Sequence, residues 1–193
     1  MKNTEWSAGR WSTEPEHVEV DDDGMRVTAV EGSDAWRITS YGFIHDNAHA
    51  LLAPLKQTAA VEVSFELNFS EQFDQAGVFL RVSDTEWIKA GVEWSDGEAH
   101  LGAVVTRGES DWSLGSTSGW AGRTVTMRAS RSGDAITIRA RVDEESWRLV
   151  RVAPLRAEAT VTAGPYCCAP SRAGLVVHFT SWRTTDADTN LHP

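Results

Sequence analysis

Short segments in which apolar and polar residues alternate recur along most of the chain. Alternation with a period of two is typical of a strand that buries one face. Turn residues such as Asp96-Gly97 and Ser132-Gly133-Asp134 separate the segments. We predict nine strands, at residues 24–30, 60–69, 76–82, 87–94, 99–106, 123–130, 135–142, 146–155 and 174–182. This spacing of short strands indicates an all-β protein, either an antiparallel sandwich or a barrel.

Helical periodicity is almost absent from the chain. The one weak helical pattern, at residues 46–55, would be cut short by Pro54. A chain of 193 residues is long enough to bury the core of one domain. We expect this domain to span residues 1–185, with a polar, disordered tail at residues 186–193.

Two neighbouring predicted strands share an unusual polar face. Beside the ordinary apolar face, the segment from Asp74 to Glu93 presents a second set of alternate residues: Gln75, Gly77, Phe79, Arg81, Trp87, Lys89, Gly91 and Glu93. In an antiparallel hairpin, Lys89 would lie opposite either Phe79 or Arg81, and both registers remain open. A glycine inside a strand often marks the close approach of a ligand or of a second backbone.

The charged residues of this face need partners beyond their own strand. Lys89 and Glu93 are roughly 13 Å apart, at about 3.3 Å per residue, so they cannot form a direct ion pair. Arg81, Asp74 and Asp111 are candidate partners. A solvated face with loose ion pairs would explain the charges. A binding face would also explain the aromatic residues and glycines, and we favour it.

Two further segments combine aromatic and polar residues. Residues 35–49 include Trp36, Tyr41 and His45, and residues 104–113 include Asp111 and Trp112. Aromatic rings that stack on a sugar, next to groups that hydrogen bond its hydroxyls, are the usual means of holding a carbohydrate. Core aromatics with capped turns are the alternative interpretation.

Composition excludes several classes of function. The formal net charge of −10, without a cluster of Lys and Arg, argues against a nucleic-acid partner. No apolar run approaches the roughly 20 residues of a membrane span, and the first residues lack the apolar segment of a signal peptide. The only cysteines, Cys167 and Cys168, are adjacent, which disfavours a disulfide and indicates a reducing, cytoplasmic location. The six histidines show no clear metal-ligand spacing, and we predict neither a metal nor a cofactor.

Three segments carry a resemblance to a known family. Asp74-Gln75-Ala76-Gly77, the strand at residues 87–93 and Ser110-Asp111-Trp112-Ser113 resemble a family of bacterial and fungal proteins of unknown function. This family includes the fungal regulation-of-enolase protein, and the resemblance runs from about Trp6 to Trp182. It implies a concanavalin A-like jelly-roll sandwich of two curved antiparallel sheets, whose concave face holds sugars in lectins and glucanases. Fold alone does not establish an activity.

We therefore expect this protein to bind a carbohydrate or sugar acid on the concave face. The predicted ligand-binding residues are Trp36, Tyr41, His45, Gln75, Arg81, Trp87, Lys89, Glu93, Asp111 and Trp112. One alternative is a glycoside hydrolase that uses Glu93 and Asp111 as its two acids. Another is a protein-interaction or regulatory module with exposed tryptophans, for which Trp120, Trp147 and Trp182 are candidates. The oligomeric state stays open.

Overall fold

The computed structural model describes residues 2–191, and these residues are almost entirely β-structure. Its strands, in chain order, are β1 (Lys2–Asn3), β2 (Arg10–Trp11), β3 (His17–Asp21), β4 (Gly24–Thr28), β5 (Ala35–Arg37), β6 (Ile44–Asp46), β7 (His49–Leu55), β8 (Ala59–Glu66), β9 (Gln75–Arg81), β10 (Glu86–Ser95), β11 (Glu98–Arg107), β12 (Glu109–Ser116), β13 (Thr124–Ser132), β14 (Ala135–Val142), β15 (Arg148–Pro154), β16 (Val161–Cys168) and β17 (Val176–Asp186). Within the same residues the helical structure is a single 3-10 turn, Trp6–Ala8, and no helix there is long and apolar enough to cross a membrane.

The strands form two large sheets that pack face to face. One sheet has eight strands in the order β15-β14-β13-β8-β17-β4-β3, with β1 also paired to β17. The other has seven strands in the order β12-β11-β10-β9-β16-β7-β2. Strands β5 and β6 form a separate two-stranded ribbon. The registered pairs of strands are antiparallel, which confirms the predicted sandwich.

Alternate residues of both sheets fill the core between them. Val63 and Phe65 of β8 point inward from one sheet, and Val78 and Leu80 of β9 point inward from the other. All four side chains are at most 2% exposed. Because successive residues of a strand point to opposite faces, Gln75, Phe79 and their neighbours lie on the outer face of the seven-stranded sheet.

The hairpin of β9 and β10 adopts the first of the two predicted registers. Lys89 lies opposite Phe79, and Gly91 lies opposite Gly77. A Cβ atom added to Gly91 would lie 2.0 Å from the backbone oxygen of Ala76. The two glycines therefore allow the two backbones to approach one another, which is the second of the roles considered for them.

The weak helical pattern at residues 46–55 does not correspond to a helix, since strand β7 occupies His49–Leu55. Leu51 packs into the core between the sheets, whereas Ala50 and Leu52 pack on the outer face. A strand buried on both faces is apolar throughout, so its sequence does not alternate and is easily read as helical.

Strand β16 was missed because Gly164-Pro165 lies in its middle. Proline has no N–H to donate to a neighbouring strand and is rare inside a sheet. Here the register with β7 is interrupted between Ala163 and Tyr166, where Gly164 and Pro165 have no partner in β7.

Part of the predicted tail belongs to the sandwich in this structure. Asp186 is the last residue of β17. The carboxylate of Asp188 forms ion pairs with Arg128, at 2.8 Å, and with Arg139. Residues 192–193 lie outside the described residues, and the division of the chain at residue 185 stays a prediction.

We predict that Gly91→Ala lowers the free energy of unfolding by about 1 to 3 kcal/mol, because the new methyl group would overlap the backbone of β9. At about 2 to 4 °C per kcal/mol, thermal melting would show the loss directly. Gly115→Ala is the control, because a Cβ atom at Gly115 would have no atom within 4 Å. Equal melting temperatures for the two variants would contradict this account.

Candidate functional site: a pocket on the outer face

The outer face of the seven-stranded sheet carries a second apolar cluster, separate from the core. Its members include Phe79, Trp87, Val104 and Tyr166 from the sheet. Phe79 stacks on Trp87 at 5.4 Å and contacts Tyr166 edge-on at 5.9 Å. An apolar surface of this kind needs a cover to keep water away.

Residues 34–47, which we call the flap, supply that cover. The flap contains strands β5 and β6 and places Ala35 and Trp36 in the outer apolar cluster. Its turn reverses with residues in the left-handed region, among them Ile38 at φ 65° and Gly42 at φ 73°.

Arg37 ties the flap to the edge of the sheet. Its guanidinium donates to the carboxylate of Asp46 at 2.5 Å and to the carbonyl of Gly108 at 3.2 Å. Its backbone N–H donates to the hydroxyl of Ser110 at 3.0 Å. The flap is thereby held against the β11–β12 turn.

A pocket of about 370 Å³ opens between the flap and the sheet. Its polar floor is formed by Asp34, Gln75, Lys89 and Glu93. Aromatic side chains surround this floor: Trp36, Tyr41, Phe43, His45, Phe73 and Trp112. The volume falls within the range typical of small-molecule sites.

Five aromatic rings of the rim form a continuous series of contacts. Trp36 lies edge-on to Trp112 at 5.9 Å and edge-on to Tyr41 at 5.6 Å. Tyr41 stacks on Phe43 at 5.3 Å, and Phe43 contacts His45 at 4.7 Å. Tyr41 is 60% exposed and Trp112 is 40% exposed, so both offer free ring surface.

An ion pair between Lys89 and Asp34 organises the floor. Lys89 is only 4% exposed, and its ammonium donates to Asp34 Oδ1 at 2.7 Å and to Gln75 Oε1 at 2.9 Å. Burial by itself would lower the pKa of Lys89, but the charges of Asp34, Cys168 and Glu93 and the hydrogen bond to Asp34 together outweigh it and raise this pKa above its ordinary value. Lys89 is therefore a cation whose charge is already matched by Asp34.

Glu93 is the other acid of the floor. Burial raises the pKa of its carboxyl from 4.5 to about 7, Lys89 opposes that rise, and Asp34 adds to it. Its Oε1 atom is buried and has no hydrogen-bond partner among the described residues. A buried polar atom without a partner is rare and unfavourable.

The structure brings seven of the predicted site residues together in this pocket: Trp36, Tyr41, His45, Gln75, Lys89, Glu93 and Trp112. Two others lie on the same face outside it. Trp87 is 4% exposed and packs beneath Phe79, so its role is structural. Arg81 forms an ion pair with Asp84 at 2.6 Å.

Asp111 lies on the opposite face of the sheet from Glu93. It is paired with Val105, whereas its neighbour Trp112 is paired with Val104 above the outer apolar cluster. Its carboxylate binds Arg151 of the other sheet at 2.8 Å. The hypothesis of Glu93 and Asp111 as one catalytic pair is therefore wrong, because adjacent strand residues point to opposite faces.

The predicted ligand-binding residues did not include Asp34, Phe43 and Phe73, although Phe43 belongs to the aromatic segment at residues 35–49. The sequence pointed to Asp34 only indirectly: a lysine on a mostly apolar face, such as Lys89, requires a carboxylate partner. Nothing local indicated which of the many acidic residues would supply it, because Asp34 and Lys89 are 55 positions apart.

The two antiparallel sheets and the pocket on an outer sheet face define a β-sandwich of the concanavalin A-like type. A model of the family described as a protein of unknown function, DUF1349, matches residues 11–187. The chain belongs to this family, as its signature segments predicted. It is 36% identical over 184 residues to Regulation of enolase protein 1 of Saccharomyces cerevisiae, covering 95% of this chain and 92% of the yeast protein.

Solved structures show the same fold. A functionally unknown protein from Saccharomyces cerevisiae superposes with a TM-score of 0.89 at 34% identity, over 96% of this chain and all of that one. The GH43 BlXynB protein from Bacillus licheniformis has a TM-score of 0.73 at 12% identity, over 96% of this chain but only 38% of its own length. The second likeness shows the fold alone.

We predict that replacing Glu93 removes a pH-dependent loss of stability. The pKa of Glu93 is higher in the folded protein, about 7, than the ordinary 4.5. The folded protein therefore holds the Glu93 proton more tightly than the unfolded chain does. The stabilisation that results is complete below pH 4.5 and is lost as the pH rises through 7. From the 2.5 units between these values, the loss amounts to about 3 kcal/mol.

Urea unfolding of the wild type and Glu93→Gln at about pH 5 and pH 8 measures this effect. The variant, which resembles the protonated acid, should gain about 2.5 kcal/mol relative to the wild type between the two conditions. Glu109→Gln, at an exposed position of β12, is the control. A difference between wild type and Glu93→Gln that does not change with pH would contradict an elevated pKa.

Proposed function

We propose that this protein binds a carbohydrate in the pocket between the flap and the sheet. The observation that carries the proposal is the series of aromatic rings around a floor of four polar side chains. Sugars have apolar ring faces that stack on aromatic side chains, and hydroxyls that need hydrogen-bond partners. The pocket offers both kinds of contact within one cavity.

The floor favours a ligand without a negative charge. A sugar acid would need free cations to bind its carboxylate, and the two cations of this sheet face are Arg81 and Lys89. Arg81 lies outside the pocket, bound to Asp84, and Lys89 is paired with Asp34. A carboxylate in the pocket would also lie near Glu93. We therefore narrow the proposed ligand to saccharides that are not acidic.

The three tryptophans that were candidate anchors of a protein-interaction module give little support to that alternative. Trp120 is 1% exposed and Trp182 is 3% exposed, so both belong to the core. Trp147 is half-buried, and the guanidinium carbon of Arg141 lies 4.8 Å from the centre of the Trp147 ring.

A protein partner and a cytoplasmic location stay predictions. The two free cysteines, buried on opposite faces of β16, agree with a reducing compartment.

Thermal melting in the presence of neutral sugars tests the proposal. A ligand at about 100 times its dissociation constant should add about 2.7 kcal/mol, which corresponds to a rise of about 5 to 10 °C for a chain of this size. Trp112→Ala should weaken binding by about tenfold, because it removes a ring that is 40% exposed at the pocket.

Trp147→Ala is the matched control, since Trp147 contacts Arg141 on the other sheet and lies outside the pocket. It should leave the ligand-induced shift unchanged. If no member of a broad panel of hexoses, pentoses and disaccharides shifts the melting temperature, the pocket is not a site for the sugars tested.

Glycoside hydrolysis is a second candidate, favoured by the pKa of Glu93. A general acid must be protonated near neutral pH, and burial raises the pKa of Glu93 to about 7. The second carboxylate of the pocket is Asp34, not Asp111. Asp34 would act as the base or nucleophile only if Lys89 yielded part of its interaction during the reaction.

Unactivated disaccharides, whose leaving sugar must be protonated in order to depart, test this second candidate. If the protein is a hydrolase, the rate should fall as the pH rises above about 7, where Glu93 loses its proton. Glu93→Gln should then abolish turnover while leaving binding of the sugar in place. Turnover that persists in Glu93→Gln would exclude Glu93 as the acid.

A further inference from the structure

The pocket contains one polar atom that the protein itself does not satisfy. Glu93 Oε1 is buried, lines the pocket and lacks a hydrogen-bond partner, and it is the only carboxylate oxygen in that condition among the described residues. A ligand that brings a donor to this atom would gain a charge-assisted hydrogen bond. The first requirement on the ligand is thus a hydrogen-bond donor close to Glu93.

The charges of the pocket favour a donor that is positively charged. Lys89 and Asp34 form an ion pair at 2.7 Å, so their formal charges cancel. Ionised Glu93 then leaves the floor with a net charge of −1. An anionic ligand would meet a like charge, whereas a cation would supply the missing counter-charge.

The aromatic rim also favours a positively charged ligand. The faces of Trp and Tyr rings attract an ammonium group that lies within about 6 Å of the ring centre. Trp36, Tyr41 and Trp112 line the pocket together with Glu93. Rings combined with an unpaired carboxylate are well suited to an organic cation, which gains from both, and poorly suited to an anion.

On these grounds we propose that the saccharide held in this pocket carries an ammonium group, as an amino sugar does, and that this group binds the Glu93 carboxylate. The inference rests on the proposed function, because it assigns a chemical class to the ligand of the same site. The sugar ring would stack on the aromatic rim, and the ammonium would lie on the floor beside Glu93.

Binding of an ammonium should be coupled to loss of a proton. Glu93 has a pKa of about 7 without a ligand, so at about pH 6 most of it is protonated. A cation in contact with the carboxyl lowers this pKa and releases close to one proton per bound ligand. The charged or titratable groups that surround Glu93 are Lys89 on its own strand, Asp34 and His45 of the flap, Asp96 of the following turn, His100 of β11, and Tyr166 and Cys168 of β16.

Calorimetric titration with matched sugars tests the inference. The probes are glucose, glucosamine, N-acetylglucosamine and glucuronate, with the corresponding galactose set, and ethanolamine as a primary ammonium without a sugar. At pH 7 and low salt, we expect at least one amino sugar to bind about tenfold or more tightly than its neutral parent. The N-acetylated and acidic forms should show no such gain.

In Glu93→Gln, the ratio of the affinity for the amino sugar to the affinity for its neutral parent should fall to about one, while the neutral parent still binds. Proton release at about pH 6, measured in buffers of different ionisation enthalpy, should disappear in the same variant. Glu109→Gln, which changes an exposed carboxylate of β12, should retain both effects. Melting temperatures of the two variants verify that each is folded.

The outcomes separate this inference from the proposed function. If neutral sugars bind and the amine gives no gain, or if the gain survives in Glu93→Gln, the ammonium inference is wrong and carbohydrate binding stands. If ethanolamine binds in a Glu93-dependent manner and no sugar binds, the proposed function is wrong and the ammonium site stands. If no probe binds, both are overturned for the compounds tested.

Discussion

The ion pair between Lys89 and Asp34 is the interaction on which the outer half of the molecule depends. Lys89 lies in the middle of the seven-stranded sheet, and at 4% exposure its charge must be matched inside the protein. Asp34 matches it at 2.7 Å and is also the first residue of the flap. The contact that neutralises the lysine therefore also positions the flap over the apolar cluster and brings the aromatic rim above the polar floor.

Stability alone does not explain this arrangement. Apolar residues of similar volume often stabilise a protein as well as a buried ion pair, or better. Glu93 adds a further cost, since its buried Oε1 atom has no partner among the described residues. Polar groups kept at such cost in a cavity lined by aromatic rings are typical of a binding site, where the ligand provides the missing interactions.

The sequence predicted those parts of the site that depend on strand alternation. Lys89 and Glu93 are four residues apart on one strand, so their common face followed from the period of two alone. The same rule separates Asp111 from Trp112, and including both in one site overlooked it. Strand β7 was misread because it is buried on both faces, and the partner of Lys89 was missed because that contact is made by tertiary folding. Local pattern thus determined which side chains share a face, but not which distant segment covers that face.

The similarity to GH43 glycoside hydrolases concerns the fold of the molecule and not its pocket. At 12% identity the strands superpose, while the pocket described here depends on individual side chains of the flap and of β10. Within that pocket, one proton determines the electrostatics. With Glu93 protonated, the paired Lys89 and Asp34 leave the floor neutral; with Glu93 ionised, the floor is negative. Because the pKa of Glu93 is about 7, both states are populated near neutral pH, and the charge of a bound ligand selects between them.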